Sequence, residues 1–261
     1  MAAAIPDYRT LRVERDGPHD RLLLNRPDRL NGMNIEMVDE LVDYFGRLQF
    51  DDSVRVVTVR GAGRAFCAGL DMRYRDPDKP RVPEESMIFQ RKLAEIVTRM
   101  RRCPQPIVAL LNGAAAGGGF ALALASDVRI AVPATRMNAA FIRIGLSACD
   151  VGTSYFLPRL VGVSVASELM LTGRFIDAER SLRVGLVSEI VPEDQLIAAG
   201  DRLVAEMLAT APMGLRLTKE CLDAALAMEN RNQMLCAQSG DFQEGMRAFL
   251  EKRPPVYARP K

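Results

Sequence analysis

The chain has 261 residues, 48% hydrophobic and 26% charged, with 35 Lys and Arg against 33 Asp and Glu for a net charge of +2. A chain of this length can bury a core without disulfide or metal staples, and so balanced a charge argues against a polybasic nucleic-acid surface or a charged membrane-binding face. The five cysteines (Cys67, Cys103, Cys149, Cys221, Cys236) are odd in number and form no C-x-x-C pair, and the one histidine is His19, so a reducing cytoplasm is expected and neither a disulfide framework nor a metal site is.

In chain order, Pro6 and Asp7 fall where a secretory signal needs an apolar core, so export is not expected. Tyr8–Glu14 and Asp20–Asn25 are short apolar-rich runs split by Asp16-Gly17-Pro18, the pattern of a hairpin and hence of an antiparallel edge. From Asn34 onward, Ile35, Val38, Leu41, Val42, Phe45 and Leu48 keep the spacing of one helical face while Glu36, Asp39, Glu40, Asp43 and Arg47 hold the other, which predicts a helix packed on a sheet. Val54–Arg60 then reads as a β-branched strand, Gly61–Asp71 as a glycine-punctuated loop, Glu84–Cys103 as a long amphipathic helix and Pro106–Leu111 as a buried strand.

After Gly117-Gly118-Gly119 a short apolar helix runs to Ala125, and Asp127–Val132 returns to strand, completing a βαβ-like unit. The span Ile107 to Ser126 runs 20 residues without a charge, but its glycines and Asn112 contribute little transfer free energy, and a strand, a turn and a buried helix account for it better than a membrane span. Beyond Val151, apart from a short strand at Leu186–Val191, helices are predicted at 164–172, 177–183, 193–210, 213–229 and 232–250. The expected division is an α/β core over 1–191 and a helical region over 192–261, ending in an arm at Arg253-Pro254-Pro255.

The two glycine turns invite comparison with nucleotide-binding patterns, and neither fits. The fingerprint G-x-G-x-x-G fails after Gly61 and Gly63, where Phe66 holds the third place, and after Gly117 and Gly119, where Leu122 does. No P-loop occurs, and the one Tyr-x-x-x-Lys pair, Tyr257 to Lys261, lies in the proline-rich tail. What the turns offer is peptide N–H groups without side-chain obstruction, with Gly118 at a helix N-terminus whose dipole favours negative charge. Two such donors converging would form an oxyanion hole for a thioester carbonyl becoming an enolate. The alternative is that Gly117–Gly119 merely lets a helix lie close to a strand.

Taken together, Gly61-Ala62-Gly63-Arg64-Ala65-Phe66-Cys67-Ala68-Gly69-Leu70-Asp71 and Asn112-Gly113-Ala114-Ala115-Ala116-Gly117-Gly118-Gly119 resemble the crotonase superfamily, the enoyl-CoA hydratases and isomerases. Asn25-Arg26-Pro27 with Asn31 and Met33, Ser126-Asp127-Val128-Arg129, Leu171-Thr172-Gly173-Arg174 and Gly185-Leu186-Val187 extend the likeness in order over nearly the whole chain. The resemblance implies an α/β fold, a crotonase-like spiral of βαβ units with a helical C-terminal trimerisation region, in a homotrimer or a hexamer of paired trimers. It implies an acyl-CoA substrate in fatty acid or other lipid metabolism, with CoA as part of the thioester and no further cofactor, nucleic acid or membrane partner. By position, the carbonyl-binding N–H groups are those of Leu70 and Gly118. The bent CoA thioester would lie along Phe66, Ala68, Gly69, Leu70 and Asp71 and beside Gly117, with Arg26 toward its phosphates and Ala121 and Phe141 lining the acyl pocket.

Ala121 and Phe141 mark a departure from the hydratases, which place a glutamate two residues after the glycine triplet and another twenty residues later. Neither a methyl nor a phenyl group can accept a proton, so two-glutamate hydration is not expected. Ser147-Ala148-Cys149-Asp150-Val151-Gly152-Thr153 instead resembles the Asp-Val-Gly-Thr element of dienoyl-CoA isomerases, at a place where peroxisomal 3,2-enoyl-CoA isomerases carry a glutamate. That makes Asp150 the candidate acid-base for double-bond isomerisation, its bland alternative being a side-chain cap on the following helix. Asp71 is expected to cap the end of its loop, Asp127 and Glu168 to pair with arginines, Cys67 and Cys149 to fill small spaces, and His19 to play no part. Hydration, thioester hydrolysis or decarboxylation by another acid, and a silent acyl-CoA-binding protein, stand as the alternatives.

Overall fold

Gly17 and Pro18 turn the chain between β1 (Leu11–Asp16) and β2 (His19–Leu24), which pair antiparallel from Leu11 against Leu24 to Asp16 against His19. The computed structural model describes residues 5–74, 83–222 and 240–257. Helix α1 (Ile35–Leu48) starts where the side chain of Asn34 accepts the Met37 N–H at 3.0 Å, and its apolar face buries Met37, Val38, Leu41, Tyr44, Phe45 and Leu48.

From there the chain repeats one step: a strand in a large sheet, a shorter strand in a small sheet, then a helix. The first step is β3 (Val56–Gly61), β4 (Ala65–Cys67) and α2 (Pro83–Arg102), and the second is β5 (Ile107–Leu111), β6 (Ala114–Ala116) and α3 (Gly118–Ala125). The third is β7 (Val128–Ala131), β8 (Arg136–Asn138) and a 3-10 turn at Ala140–Ile144. With β9 (Ile176–Asp177) and β10 (Glu189–Ile190) the sheets order as β1-β2-β3-β5-β7-β10 and β4-β6-β8-β9, parallel throughout except at β1 and β9. This is the expected spiral of βαβ units.

Central β5 has no polar face because both its faces are covered. Ile107, Ala109 and Leu111 enter the main core, while Val108 and Leu110 enter a second cluster with Ile130, Val191, Leu196 and Ala199. Leu196 and Ala199 belong to α7 (Leu196–Leu208), so the first helix beyond 191 covers the back of the sheet. Helix α3 is buried at every position, as an all-apolar helix must be, and the uncharged run is thus strand, bend and core helix. No helix among the described residues is long and apolar enough to cross a membrane.

Three differences from the sequence reading have physical causes. Helix α4 (Thr153–Val161) is absent from the predicted helix ranges, although a cap at Asp150 would imply a helix there: Gly152 caps it without a side chain and Pro158 lies inside it, so neither its start nor its interior carries a strong helix signal. The loop Gly61–Asp71 contains β4, too short to show alternation. The strand predicted at Leu186–Val191 shrinks to Glu189–Ile190 because Leu186 and Val187 are drawn into the core before pairing begins. Helices α5 (Val163–Thr172), α6 (Ala178–Arg183), α8 (Pro212–Leu222) and α9 (Gly240–Glu251) follow the remaining expectations, and the predicted helical stretch within 223–239, with Cys236, lies outside the described residues. Buried Lys219 fastens α8 to the end of α2, donating to the carbonyls of Met100 (2.9 Å) and Gln105 (2.7 Å) and pairing with Asp127 (3.0 Å).

Candidate active site

Strands β4 and β6 are parallel neighbours, Ala65 against Ala114 and Cys67 against Ala115, so the bends that follow them leave the same edge of the small sheet. Those bends are Ala68-Gly69-Leu70 and Gly117-Gly118, with Gly69 at φ +91° and Gly117 at φ +51°. They approach closely: a Cβ on Gly69 would fall 2.6 Å from the Ala116 carbonyl and 3.3 Å from the Gly118 nitrogen, and a Cβ on Gly118 would lie 4.0 Å from the Leu70 nitrogen. On the other side, Met33 donates its N–H to Gly69 O (2.8 Å) and accepts that of Asp71 (2.9 Å). This parallel bridge turns the Leu70 N–H away from Met33. Gly118 opens α3, where an N–H has no helical acceptor. Neither amide has an acceptor among the described residues. The close-packing alternative holds for Gly119, where a Cβ would sit 2.0 Å from the Cys67 carbonyl.

Two asparagine amides hold the first bend's loop in place. Asn31, buried at φ +55°, accepts the Arg26 N–H (2.9 Å) and donates to the carbonyls of Ala62 and Ala65, each at 2.9 Å. Asn112 accepts the Gly61 N–H (3.1 Å) and donates to Gly63 O (2.8 Å). Both residues stood within recognised motifs, but nothing local showed that they staple separate segments. Arg26 pairs with Asp71 at 3.0 Å and also donates to the Gly32 carbonyl. A contact with CoA phosphates would share a guanidinium that is already paired with a carboxylate. Asp71 also accepts the Arg73 N–H (3.2 Å) at the start of a 3-10 turn (Met72–Tyr74), a cap as expected and an ion-pair partner besides.

Asp150 is half-buried in the segment leading into α4. Its Oδ1 accepts the Val151 N–H (2.8 Å) and the Gln90 side-chain amide from α2, and its carbonyl accepts the Thr153 N–H (2.8 Å). The cap of α4 is Gly152, with no side-chain hydrogen bond, so Asp150 is not the helix cap of the bland alternative. Val151 takes φ +44°, a left-handed conformation that costs a β-branched residue about 1–2 kcal/mol. Gln90 was not singled out from the sequence, since one amide on the exposed face of an amphipathic helix carries no signal.

Phe141 closes over the second bend: a Cβ on Gly117 would lie 3.7 Å from its ring. The side chains of Ala121 and Phe66 are fully buried, Ala121 within the all-apolar α3 and Phe66 in the main core. Ala68 is exposed and Leu70 half-buried. Cys67 donates its thiol to the Asn31 carbonyl (3.1 Å), and burial pushes that thiol up to about 12, so it packs rather than reacts. Cys149 is exposed and does not fill a core space. Asp127 pairs with Arg101 at 2.8 Å and Glu168 with Arg180 at 2.6 Å, the Arg180 hydrogen bond holding Glu168 at about 2.

A cavity of about 740 Å³ opens between the C-terminal half of α2 and the start of α4, lined by Val97, Arg101, Val151, Gly152, Tyr155 and Phe156 among others. Directly after Asp150 the chain forms part of its wall. The profile of the enoyl-CoA hydratase/isomerase family matches residues 21–260. A Mycobacterium leprae protein named probable enoyl-CoA hydratase echA12 is 40% identical over 250 residues, covering 90% of this chain and 85% of the relative. The 1,2-epoxyphenylacetyl-CoA isomerase of Escherichia coli is 37% identical over 247 residues, covering 90% and 93%. The crystal structure of an enoyl-CoA hydratase from Bacillus anthracis superposes with a TM-score of 0.90 at 29% identity, covering 97% of this chain and 100% of that one. With a family profile spanning nearly the whole chain, relatives above a third identical and a shared spiral fold, this chain belongs to the enoyl-CoA hydratase/isomerase family.

Proposed function

We propose that this enzyme shifts a double bond in an unsaturated acyl-CoA thioester, with the N–H groups of Leu70 and Gly118 as the oxyanion hole and Asp150 as the single acid-base. The observation that carries the reading is the pair of acceptor-free amides on adjoining bends. A thioester oxygen placed between them gains negative character as C2 loses its proton, and each donor contributes about 2.7–4 kcal/mol of barrier lowering by analogy with other holes of this kind. Asp150 takes the proton from C2 and returns it at C4 while the dienolate is held, so the reaction balances without water or a co-reactant. Exposed Ala68 leaves main chain open to the pantetheine arm. Exposed Ile142, Ile144, Leu171 and Phe175 are the apolar surface we assign to contacts within a trimer.

The test follows proton exchange at C2 and C4 of a 3-enoyl-CoA in deuterated water, with product mass measured alongside. The expected result is exchange at both carbons, a product of unchanged mass, and loss of about a hundredfold or more in rate for Asp150→Asn. An Asp150→Asn variant as fast as the parent removes Asp150 as the base. Hydration, the second reading, is favoured by the name of the Mycobacterium leprae relative, and a product heavier by one water would establish it. Tight acyl-CoA binding with no turnover across a broad thioester panel would leave a silent binder.

A further inference from the structure

Asp150 receives both of its side-chain hydrogen bonds on one oxygen. Oδ1 takes the Val151 N–H at 2.8 Å and the Nε2 amide of Gln90, and Oδ2 has no partner among the described residues. The first donor is local and comes with the left-handed backbone of Val151. The second arrives from α2, sixty positions earlier in the chain. Gln90 stands on the α2 face that continues through Ala94, Val97 and Arg101, residues that line the cavity together with Val151 and Gly152. The helix that forms one wall of the cavity therefore also grips the carboxylate at its edge.

We infer that Gln90 is a positioning residue for this reaction: it fixes the Asp150 carboxylate through Oδ1 and thereby aims Oδ2 at the substrate carbon. The inference rests on Asp150 as the acid-base. A neutral amide suits the task because it donates without titrating, whereas a lysine or arginine in its place would pair with the carboxylate and weaken it as a base. Two donors on one oxygen also fix the plane of the carboxylate, which a single hydrogen bond from Val151 leaves free to rotate. Proton transfer to carbon depends on that orientation, and a small misplacement is felt in the rate rather than in binding.

The experiment compares Gln90→Leu, which removes the donor, with Gln90→Glu, which keeps the shape but replaces the donor by an acceptor, using C2 and C4 exchange of a 3-enoyl-CoA. Both variants are expected to lose about ten- to a hundredfold in kcat with KM within about twofold of the parent, because a positioning defect acts on the transition state. Thermal unfolding should match the parent, as Gln90 is exposed. Parental kcat in Gln90→Glu, or a loss carried wholly by KM, overturns the assignment. If Asp150→Asn is inactive while both Gln90 variants keep parental kcat, the positioning role alone falls. If Asp150→Asn is itself fully active, the reading of Asp150 falls and the role of Gln90 with it.

Discussion

The two halves of the proposed site are built from different materials. The amide half is main chain: two bends at the edge of one small sheet, shaped by Gly69 and Gly117 and stapled by Asn31 and Asn112. The carboxylate half is a side chain, Asp150, on a strained segment and gripped from another helix by Gln90. A site made of backbone cannot be altered without altering the fold that carries it. A site made of a side chain can be retuned by single substitutions that leave the fold unchanged. On this contrast, substitutions in the amide half should move stability and rate together, and substitutions in the carboxylate half should move rate alone.

Gly119→Ala should break the first half most severely. Its methyl would meet the Cys67 carbonyl at 2.0 Å, and neither α3 nor β4 can withdraw without opening the core. The expected cost is above about 4 kcal/mol, read as a fall in denaturant midpoint or failure to fold. The neighbouring Gly118→Ala is the sharpening control. Its methyl meets only the end of the Met33 side chain at 2.4 Å, and a flexible thioether can move aside, so a cost of about 1–2 kcal/mol is expected. Equal losses in the two variants would mean that the glycines are not distinguished by what lies against them.

Asn31→Ala comes next. It removes the donor to the Ala62 carbonyl and the acceptor of the Arg26 N–H, and leaves the Ala65 carbonyl with Asn112 alone at 3.3 Å, for an expected loss of about 2–4 kcal/mol by chemical denaturation, with kcat falling as the Leu70 bend loosens. Unchanged kcat at reduced stability would separate the staple from the site and weaken the contrast.

The amide half was largely legible in the sequence because glycine is a local signal: a bend that demands positive φ or a close approach must write itself into the residue that occupies it. The hairpin, α1, α2 and the large-sheet strands β3, β5 and β7 were legible for the same reason, since apolar periodicity is fixed by the element that contains it. What escaped is non-local. Helix α4 hides behind a bare glycine cap and an internal proline. The pairing of Arg26 with Asp71 joins residues whose neighbours in sequence predict nothing about each other. Gln90 becomes meaningful only when α2 is laid against the segment after Phe141. Ala121 and Phe141 are marked only by the family resemblance, and no periodicity or turn signal shows that Ala121 packs wholly inside while Phe141 lies over the second bend.

The far end of the large sheet differs from both halves. His19 begins β2 beside Val56, at the opposite end of the paired strands from Leu24 and Gly61, where the first bend's loop departs. Its Nε2 lies 2.9 Å from the Thr58 hydroxyl, and burial, reinforced by Arg21, pushes the imidazole below its ordinary 6.5. The unfolded chain therefore binds a proton at pH values where the folded chain does not. Stability from this group is complete above about pH 6.5 and is lost as the pH falls toward the folded value. Because the chain holds one histidine, its ring resonances report this titration without overlap from another, and the expected midpoint is below 6.5. His19→Asn should flatten the acid side of the stability profile in that interval while leaving kcat at neutral pH unchanged, since His19 lies at the opposite end of the paired strands from the first bend's loop. A midpoint at or above 6.5 would mean that the ring is solvated, and a loss of kcat would mean that the two ends of the sheet are coupled, so that the site is less separable from its scaffold than its two building materials suggest.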